Sequence, residues 1–179
     1  MLIIIEGPDG SGKTTLTKKI IEKFNFQYYK ENLTYHQRLL PDYNGYKHYF
    51  ELLEMLRFSD KDYVCDRLHL GDFVNPLIYK DGRDPLTIEE IEQIEFGIRD
   101  NTILIGAIAD QKFIRDSLSV RGDDVAQPQN IKYMNYLYKL AYDFSTIKNK
   151  ILWDVSQDKN YLKIFSELEK KLKFLNKIK

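Results

Sequence analysis

The chain has 179 residues, 27 basic and 27 acidic side chains and no formal net charge. That length suits one domain spanning 1–179 rather than two, and a chain of this size buries about 70% of its unfolded surface, enough for a core without disulfide staples. The charge balance argues against a protein whose main task is coating nucleic acid or an anionic membrane, while leaving room for a local basic pocket.

In chain order, Leu2 to Ile5 is a short continuous apolar run, as expected of a central parallel strand. It lacks the basic flank and the length of a secretory leader, and no stretch reaches the ~20 apolar residues of a membrane span. Thr14 to Phe24 reads as a helix, with Leu16, Ile20, Ile21 and Phe24 on one face. Phe26 to Tyr29 reads as a second strand, and Tyr46 to Phe58 as a helix through Phe50, Leu53 and Leu56. Tyr63-Val64-Cys65 is a short buried strand ending at Asp66-Arg67. Cys65 is the only cysteine, which excludes an intrachain disulfide and fits a reducing, cytoplasmic setting. Thr87 and Glu90 have the spacing of a helix-starting capping box. Thr102 to Ala109 is a strong strand; Asp110 to Val120 and Asn130 to Phe144 read as helices. Lys150 to Val155 is the last strand and Asp158 to Lys179 the last helix, whose lysines form its solvated face. Such alternation predicts an α/β fold, a parallel sheet with helices on both faces.

Gly7-Pro8-Asp9-Gly10-Ser11-Gly12-Lys13-Thr14 matches G-x-x-x-x-G-K-[ST], the phosphate-binding loop, between an apolar strand and an amphipathic helix. Its glycines let the backbone curl so that amides point inward. The loop runs into a helix N-terminus, whose free amides and dipole favour phosphate. Gly7, Gly10, Ser11, Gly12, Lys13, Thr14 and Thr15 are therefore the candidate nucleotide-binding residues. Lys13 would reach the β- and γ-phosphates of ATP, and Thr14 would place its hydroxyl on Mg²⁺. The loop alone leaves ATPase, GTPase and kinase open. The last strand leads into Trp153-Asp154-Val155-Ser156, without the N-K-x-D sequence that reads guanine, which disfavours a GTPase.

Four stretches resemble the thymidylate kinase family, within the wider group of nucleoside monophosphate and deoxynucleoside kinases. They are Glu6 to Thr15, similar to E-G-x-[DE]-G-x-G-K-[ST]-T; Cys65-Asp66-Arg67, similar to its D-R-[YH] motif; Arg121-Gly122-Asp123-Asp124, similar to its lid; and the closing strand Ile151 to Val155 with its helix. The resemblance implies a three-layer α/β/α fold with a five-stranded parallel sheet and a helical lid at about 110–128. It implies ATP and Mg²⁺ as cosubstrate and metal, and a homodimer. The lysine- and asparagine-rich composition suits short, divergent members found in viral genomes.

The resemblance also assigns roles. Asp9 would accept a hydrogen bond from the acceptor's 3′-hydroxyl, Arg67 would grip the acceptor phosphate as a bidentate fork, and Asp66 would lie with Thr14 beside Mg²⁺. Gly10 stands where some members carry a loop arginine. Members without it draw catalytic arginines from the lid, here Arg115 and Arg121. Arg38, after the second strand, would be a further phosphate ligand. Glu31 ends that strand, near the expected acceptor oxygen; nucleoside kinases place a catalytic base there, so Glu31 does not separate a nucleoside from a monophosphate acceptor. His69 is a structural or ribose-pocket residue.

The Phe-x-x-x-Arg pattern with which the family reads thymine has no clean equivalent among Tyr46, Tyr49, Phe50 and Arg57. The expected activity is phosphoryl transfer from ATP to a deoxynucleoside monophosphate, dTMP to dTDP first. The alternatives are a deoxynucleoside kinase, a kinase of a hydroxyl on a nucleic-acid acceptor, and a non-catalytic nucleotide-binding module. No membrane and no stable nucleic-acid partner are expected. From Asp158 onward seven lysines face three acids, leaving 20 basic against 24 acidic residues in 1–157. A phosphate site must then hold its positive charge locally, which favours a small anionic substrate over a long polyanion.

Overall fold

The N-terminal apolar run forms β1 (Leu2–Glu6), the middle strand of the sheet. A computed structural model describes residues 1–31, 40–79, 82–121 and 128–176. Among these, β1 is followed by α1 (Lys13–Phe24), β2 (Gln27–Tyr29), α2 (Gly45–Arg57), β3 (Tyr63–Asp66), α3 (Leu70–Tyr79) and α4 (Ile88–Glu95). The chain continues through β4 (Thr102–Ile108), α5 (Gln111–Arg121), α6 (Pro128–Phe144), β5 (Asn149–Asp154) and α7 (Leu162–Asn176). The strands run parallel in the order β2-β3-β1-β4-β5, so the sheet has five parallel strands.

Alternation along β1 builds two cores. Ile3 and Ile5 face one side, with Leu16 and Ile20 of α1, Ile114 of α5 and Leu168 of α7. Leu2 and Ile4 face the other, with Tyr49 and Leu53 of α2, Val74 of α3, Ile91 of α4 and Leu137 of α6. Each fully buried aliphatic side chain contributes about 2 kcal/mol of transfer free energy. The result is the expected three-layer α/β/α arrangement. It directs the C-terminal ends of β1 and β3 to one edge, where open α/β sheets bind ligands.

Local signals account for most boundaries. Asn25 ends α1 in the left-handed region (φ 58°), its amide bonded to Ile21 O at 2.9 Å. The capping box at Thr87 and Glu90 is formed in both directions. Two elements differ from expectation. α3 is absent from the expected elements, and it contains Gly71 and Pro76. Pro76 has no N–H for the carbonyl of Asp72, and that carbonyl instead accepts from Leu86 N at 3.2 Å. The helix thus survives its proline by binding the chain that follows it. The last helix starts at Leu162 rather than Asp158, because Tyr161 turns left-handed (φ 62°). Asp158 serves as its anchor instead, accepting from Ile164 N (3.0 Å), Lys163 N (3.2 Å) and Trp153 Nε1 (3.1 Å).

Candidate functional site

The loop between β1 and α1 is shaped by contacts that its glycines permit. A Cβ on Gly7 would lie 2.1 Å from the carbonyl oxygen of Ala107, so only glycine lets the loop press against β4. Gly12 caps α1 at φ 78° and offers no side-chain acceptor, which leaves the first-turn amides to a ligand. Ser11 is fully buried and donates to Pro8 O at 2.9 Å, closing the turn. The Lys13 ammonium also donates to Pro8 O, at 2.5 Å. Burial, reinforced by the nearby Arg67 charge, pulls the Lys13 pKa down to about 7 against the opposing fields of Asp9, Asp66 and Glu6. Thr14 Oγ1 donates to Asp66 Oδ2 at 2.7 Å, joining the start of α1 to the end of β3.

Arg67 follows β3 in a left-handed conformation (φ 69°), its amide bonded to Ile5 O at 3.0 Å. This turn aims the side chain back across the loop, where Nη2 donates to Asp9 Oδ1 at 2.5 Å. Burial works against the guanidinium charge, but the fields of Tyr138, Asp9 and Glu6 outweigh it and hold its pKa above the ordinary value. Lys13, Lys30 and Arg67 line one pocket of about 210 Å³ together with Asp9, Asp66 and Thr14. The Thr14 hydroxyl and Asp66 carboxylate are hard oxygen donors that fit Mg²⁺, an ion that keeps several waters and usually takes one or two carboxylates plus substrate phosphates. No group of three or more His, Cys, Asp or Glu side chains suited to a metal occurs among the described residues.

No family model matches the chain. A cytidylate kinase of Fusobacterium nucleatum is 27% identical over 106 residues, which cover 58% of this chain and 48% of the relative, so the match spans about half of that protein. The YorR protein of Bacillus subtilis, solved in complex with phosphorylated GDP, is 24% identical over 99% of this chain and 96% of its own, with a TM-score of 0.74. A deoxyadenosine kinase from M. mycoides, solved with the products dCMP and dCDP, is 18% identical over 99% of this chain and 100% of its own, with a TM-score of 0.59. The chain has the P-loop kinase fold.

In this P-loop kinase fold, α5 packs on the phosphate loop: a Cβ on Gly10 would lie 3.1 Å from Ile114 O and 3.4 Å from Leu118 Cγ. Arg115, next to Ile114, is exposed on the same helix and does not line the 210 Å³ pocket. Arg121 is the last residue of α5, and its side chain lies outside the described part, as do Arg38 and residues 122–127 of the expected lid. Thr15 is exposed at the start of α1. His69 is not brought to the pocket. It is fully buried, and its Nε2 shares a hydrogen bond of 2.8 Å with Glu95 Oε1, so the expectation of ribose contact gives way to a structural pair.

Three residues near the pocket are given no role by the motifs. Lys30 follows β2 and has no sequence signature. Glu6, at the end of β1, is 2% exposed and accepts from Leu68 N at 2.8 Å, tying the Asp66-Arg67 turn to the strand; burial raises its pKa. Its first position in the E-G opening was the only available signal. Tyr138 of α6 is buried, with a hydroxyl that lacks a hydrogen-bond partner among the described residues, as do Glu6 Oε2 and Arg67 Nε.

Glu95 anchors His69, two residues after Arg67. Oε2 accepts from Thr146 N at 2.5 Å and from Thr146 Oγ1 at 3.0 Å, while Oε1 holds His69. Burial would raise the Glu95 pKa, but the His69 and Thr146 hydrogen bonds prevail and hold it below the ordinary 4.5. Replacing Glu95 with alanine is expected to cost about 3–5 kcal/mol of unfolding free energy, read by urea titration, because a buried partner is orphaned. A carboxyl depressed on folding contributes stability that is complete above pH 4.5 and lost as pH falls through the folded value. The loss in Glu95→Ala should therefore shrink on acidification, and a loss independent of pH would contradict the assignment.

Proposed function

We propose that this protein transfers the γ-phosphoryl group of ATP to a deoxynucleoside monophosphate, with dTMP to dTDP as the reading the sequence resemblance favours. The observation that carries it is the 210 Å³ pocket, where Lys13, Lys30 and Arg67 converge around the phosphate loop. Three cations in so small a space suit the phosphates of a donor and an acceptor better than one neutral hydroxyl.

In this reading the amides at the start of α1 and Lys13 hold the β- and γ-phosphates, and Arg67 orients the acceptor phosphate, with Asp9 fixing the guanidinium and the acceptor's sugar. Thr14 and Asp66 would hold Mg²⁺, which supplies charge neutralisation on the phosphates. An acceptor phosphate oxygen forms a bond to the γ-phosphorus as the bond from that phosphorus to the ADP oxygen breaks. A phosphate monoester has its second pKa near about 6 and reacts as the dianion, so no protein base is required. Arg115 and Arg121 remain the proposed lid arginines that meet charge on the γ-oxygens. A cytoplasmic homodimer belongs to the same reading; no helix among the described residues is long and apolar enough to cross a membrane.

A deoxynucleoside acceptor is the second reading. Glu31, just past β2, is 9% exposed and bonded to His48 Nε2 at 2.8 Å, a carboxylate that could take the proton a hydroxyl acceptor must lose. The relatives' names include cytidylate kinase and deoxyadenosine kinase, so cytosine and adenine acceptors belong in the comparison. Steady-state rates with dTMP and thymidine, and with dCMP and deoxycytidine, decide between the two readings. A monophosphate is expected to exceed its nucleoside by at least tenfold in kcat/KM; the reverse order establishes the second reading.

A further inference from the structure

Glu6 Oε2, Arg67 Nε and the Tyr138 hydroxyl are buried around the turn that follows β3, and none of them has a hydrogen-bond partner among the described residues. Glu6 is 2% exposed and Tyr138 4% exposed. Buried polar atoms are almost always paired, because leaving one unpaired costs its full desolvation penalty. Three such atoms at one turn therefore call for a common account. His69 Nδ1 is unpartnered at the same turn, but Glu95 already fixes that ring through Nε2.

The three side chains come from three elements. Glu6 ends β1, and its other oxygen, Oε1, is taken by Leu68 N at 2.8 Å. Arg67 reaches back over the phosphate loop and bonds Asp9 through Nη2, which leaves Nε at the buried end of the guanidinium. Tyr138 comes from α6, which packs on α3 in the apolar cluster of Leu70, Val74 and Leu137. Its hydroxyl points to the start of α3: a Cβ on Gly71, four residues after Arg67, would lie 4.0 Å from it. Burial raises the Tyr138 pKa, so the phenol keeps its proton; the charges that act on it next are those of Arg67, Glu6 and Asp9. Burial also raises the Glu6 pKa, as expected of a carboxylate that lacks a donor at one oxygen.

The hydrogen-bonding capacities match. Nε–H can only donate, a carboxylate oxygen can only accept, and a phenol does both. A relay from Arg67 Nε–H to the Tyr138 oxygen, and from the Tyr138 O–H to Glu6 Oε2, satisfies all three atoms at once. Phenylalanine would fill the same space and leave both ends unpaired. We infer that Tyr138 is a positioning residue, whose hydroxyl accepts from Arg67 Nε and donates to Glu6 and so fixes the plane of the guanidinium that meets the acceptor phosphate. The inference rests on the proposed kinase reading for the identity of that phosphate. A phosphate arriving at Arg67 competes with Asp9 for Nη2. The link at Nε holds the fork in place during that exchange, so less orientational freedom is lost on binding.

The test has two readouts on the full chain. The first is solvent exchange of the arginine Nε–H protons by nitrogen-15 NMR, with the Arg67 signal assigned by its absence in Arg67→Lys. Arg67 Nε–H is expected to be protected in the wild type and to exchange at least about tenfold faster in Tyr138→Phe. The second is steady-state turnover with ATP and the deoxynucleoside monophosphate that the wild type uses best. Tyr138→Phe is expected to lose about 10–100-fold in kcat/KM through the KM for the monophosphate, with the KM for ATP unmoved. In the Arg67→Ala background the same substitution should add little, because its effect passes through Arg67. An unchanged monophosphate KM in folded Tyr138→Phe, a loss that adds to that of Arg67→Ala, or an Arg67 Nε–H that exchanges as fast as an exposed one would overturn the inference. Should Tyr138→Phe not fold, protection of Nε–H in the wild type decides. Protection that depends on Tyr138 in a protein without monophosphate turnover removes the kinase reading and leaves the Tyr138–Arg67 link standing; turnover with a KM indifferent to Tyr138 does the reverse.

Discussion

Replacing Lys13 with methionine is expected to slow phosphoryl transfer by about 10²–10³-fold while leaving the nucleotide-free protein as stable as the wild type or more so. The first half follows from removing a preorganised cation from transferring phosphates, a loss of about 2.7–4 kcal/mol of transition-state stabilisation. The second half follows from burial. Lys13 is 6% exposed, and its pKa falls from 10.5 to about 7. Between those values the unfolded chain holds a proton that the folded chain has released, so stability of the wild type rises with pH from about 7 to 10.5. Below pH 7 the ammonium is charged in both states, and its burial counts fully against the fold. Methionine of similar length removes that cost and flattens the rise. Phosphate in the loop should return the lysine toward its ordinary pKa, so nucleotide binding near pH 8 takes up a proton. Binding enthalpies in buffers of different ionisation enthalpy measure that uptake. A Lys13→Met protein with wild-type turnover, or one that loses several kcal/mol of apo stability, would refute the role assigned to this side chain.

Arg67→Ala is expected to lower kcat/KM for a monophosphate acceptor by about 10²–10³-fold, largely through KM, with little effect on the affinity for ATP. Charged hydrogen bonds to phosphate are about twice as strong as neutral ones, and a guanidinium makes two at once. Arg67→Lys should recover only a small part of the loss, because a point charge on a flexible stem cannot reproduce the fork. Removing Arg67 also leaves Asp9 without the partner that its Oδ1 bonds and takes a cation from beside the buried Glu6. Stability should therefore be measured with activity, so that misfolding is separated from lost acceptor binding. If Arg67→Ala lowers turnover of nucleosides and of monophosphates equally, the guanidinium is not gripping an acceptor phosphate.

The fold was legible because its signals are local. The continuous apolar run of Leu2 to Ile5 marked the buried parallel strand, and the 3.6-residue spacing of α1 and α7 marked their buried faces. The phosphate loop was legible because its backbone demands glycine at fixed positions, as the clash at Gly7 illustrates. The turn after β3 was found through its Asp-Arg pair. What stayed hidden depends on tertiary contacts. α3 was masked by Gly71 and Pro76, and it is stabilised by a bond from Leu86 that no periodicity reveals. His69 was open to a structural or a ribose-pocket role, and the partner that decides for the structural one, Glu95, is 26 residues away. Lys30, Glu6 and Tyr138 reach the site from three separate elements. The ion pair between Asp72 of α3 and Arg83 joins a helix to the loop that follows it, so it appears only when the chain is folded.

On the proposed reading, the phosphoryl group leaving ATP arrives on a nucleotide. Phosphorus NMR of the full chain with ATP, Mg²⁺ and a mixture of the deoxynucleoside monophosphates follows donor and acceptor together. ADP and a deoxynucleoside diphosphate are expected to appear in equal amounts, with no inorganic phosphate. ADP accompanied by inorganic phosphate alone, or unchanged ATP with folded protein, would contradict it.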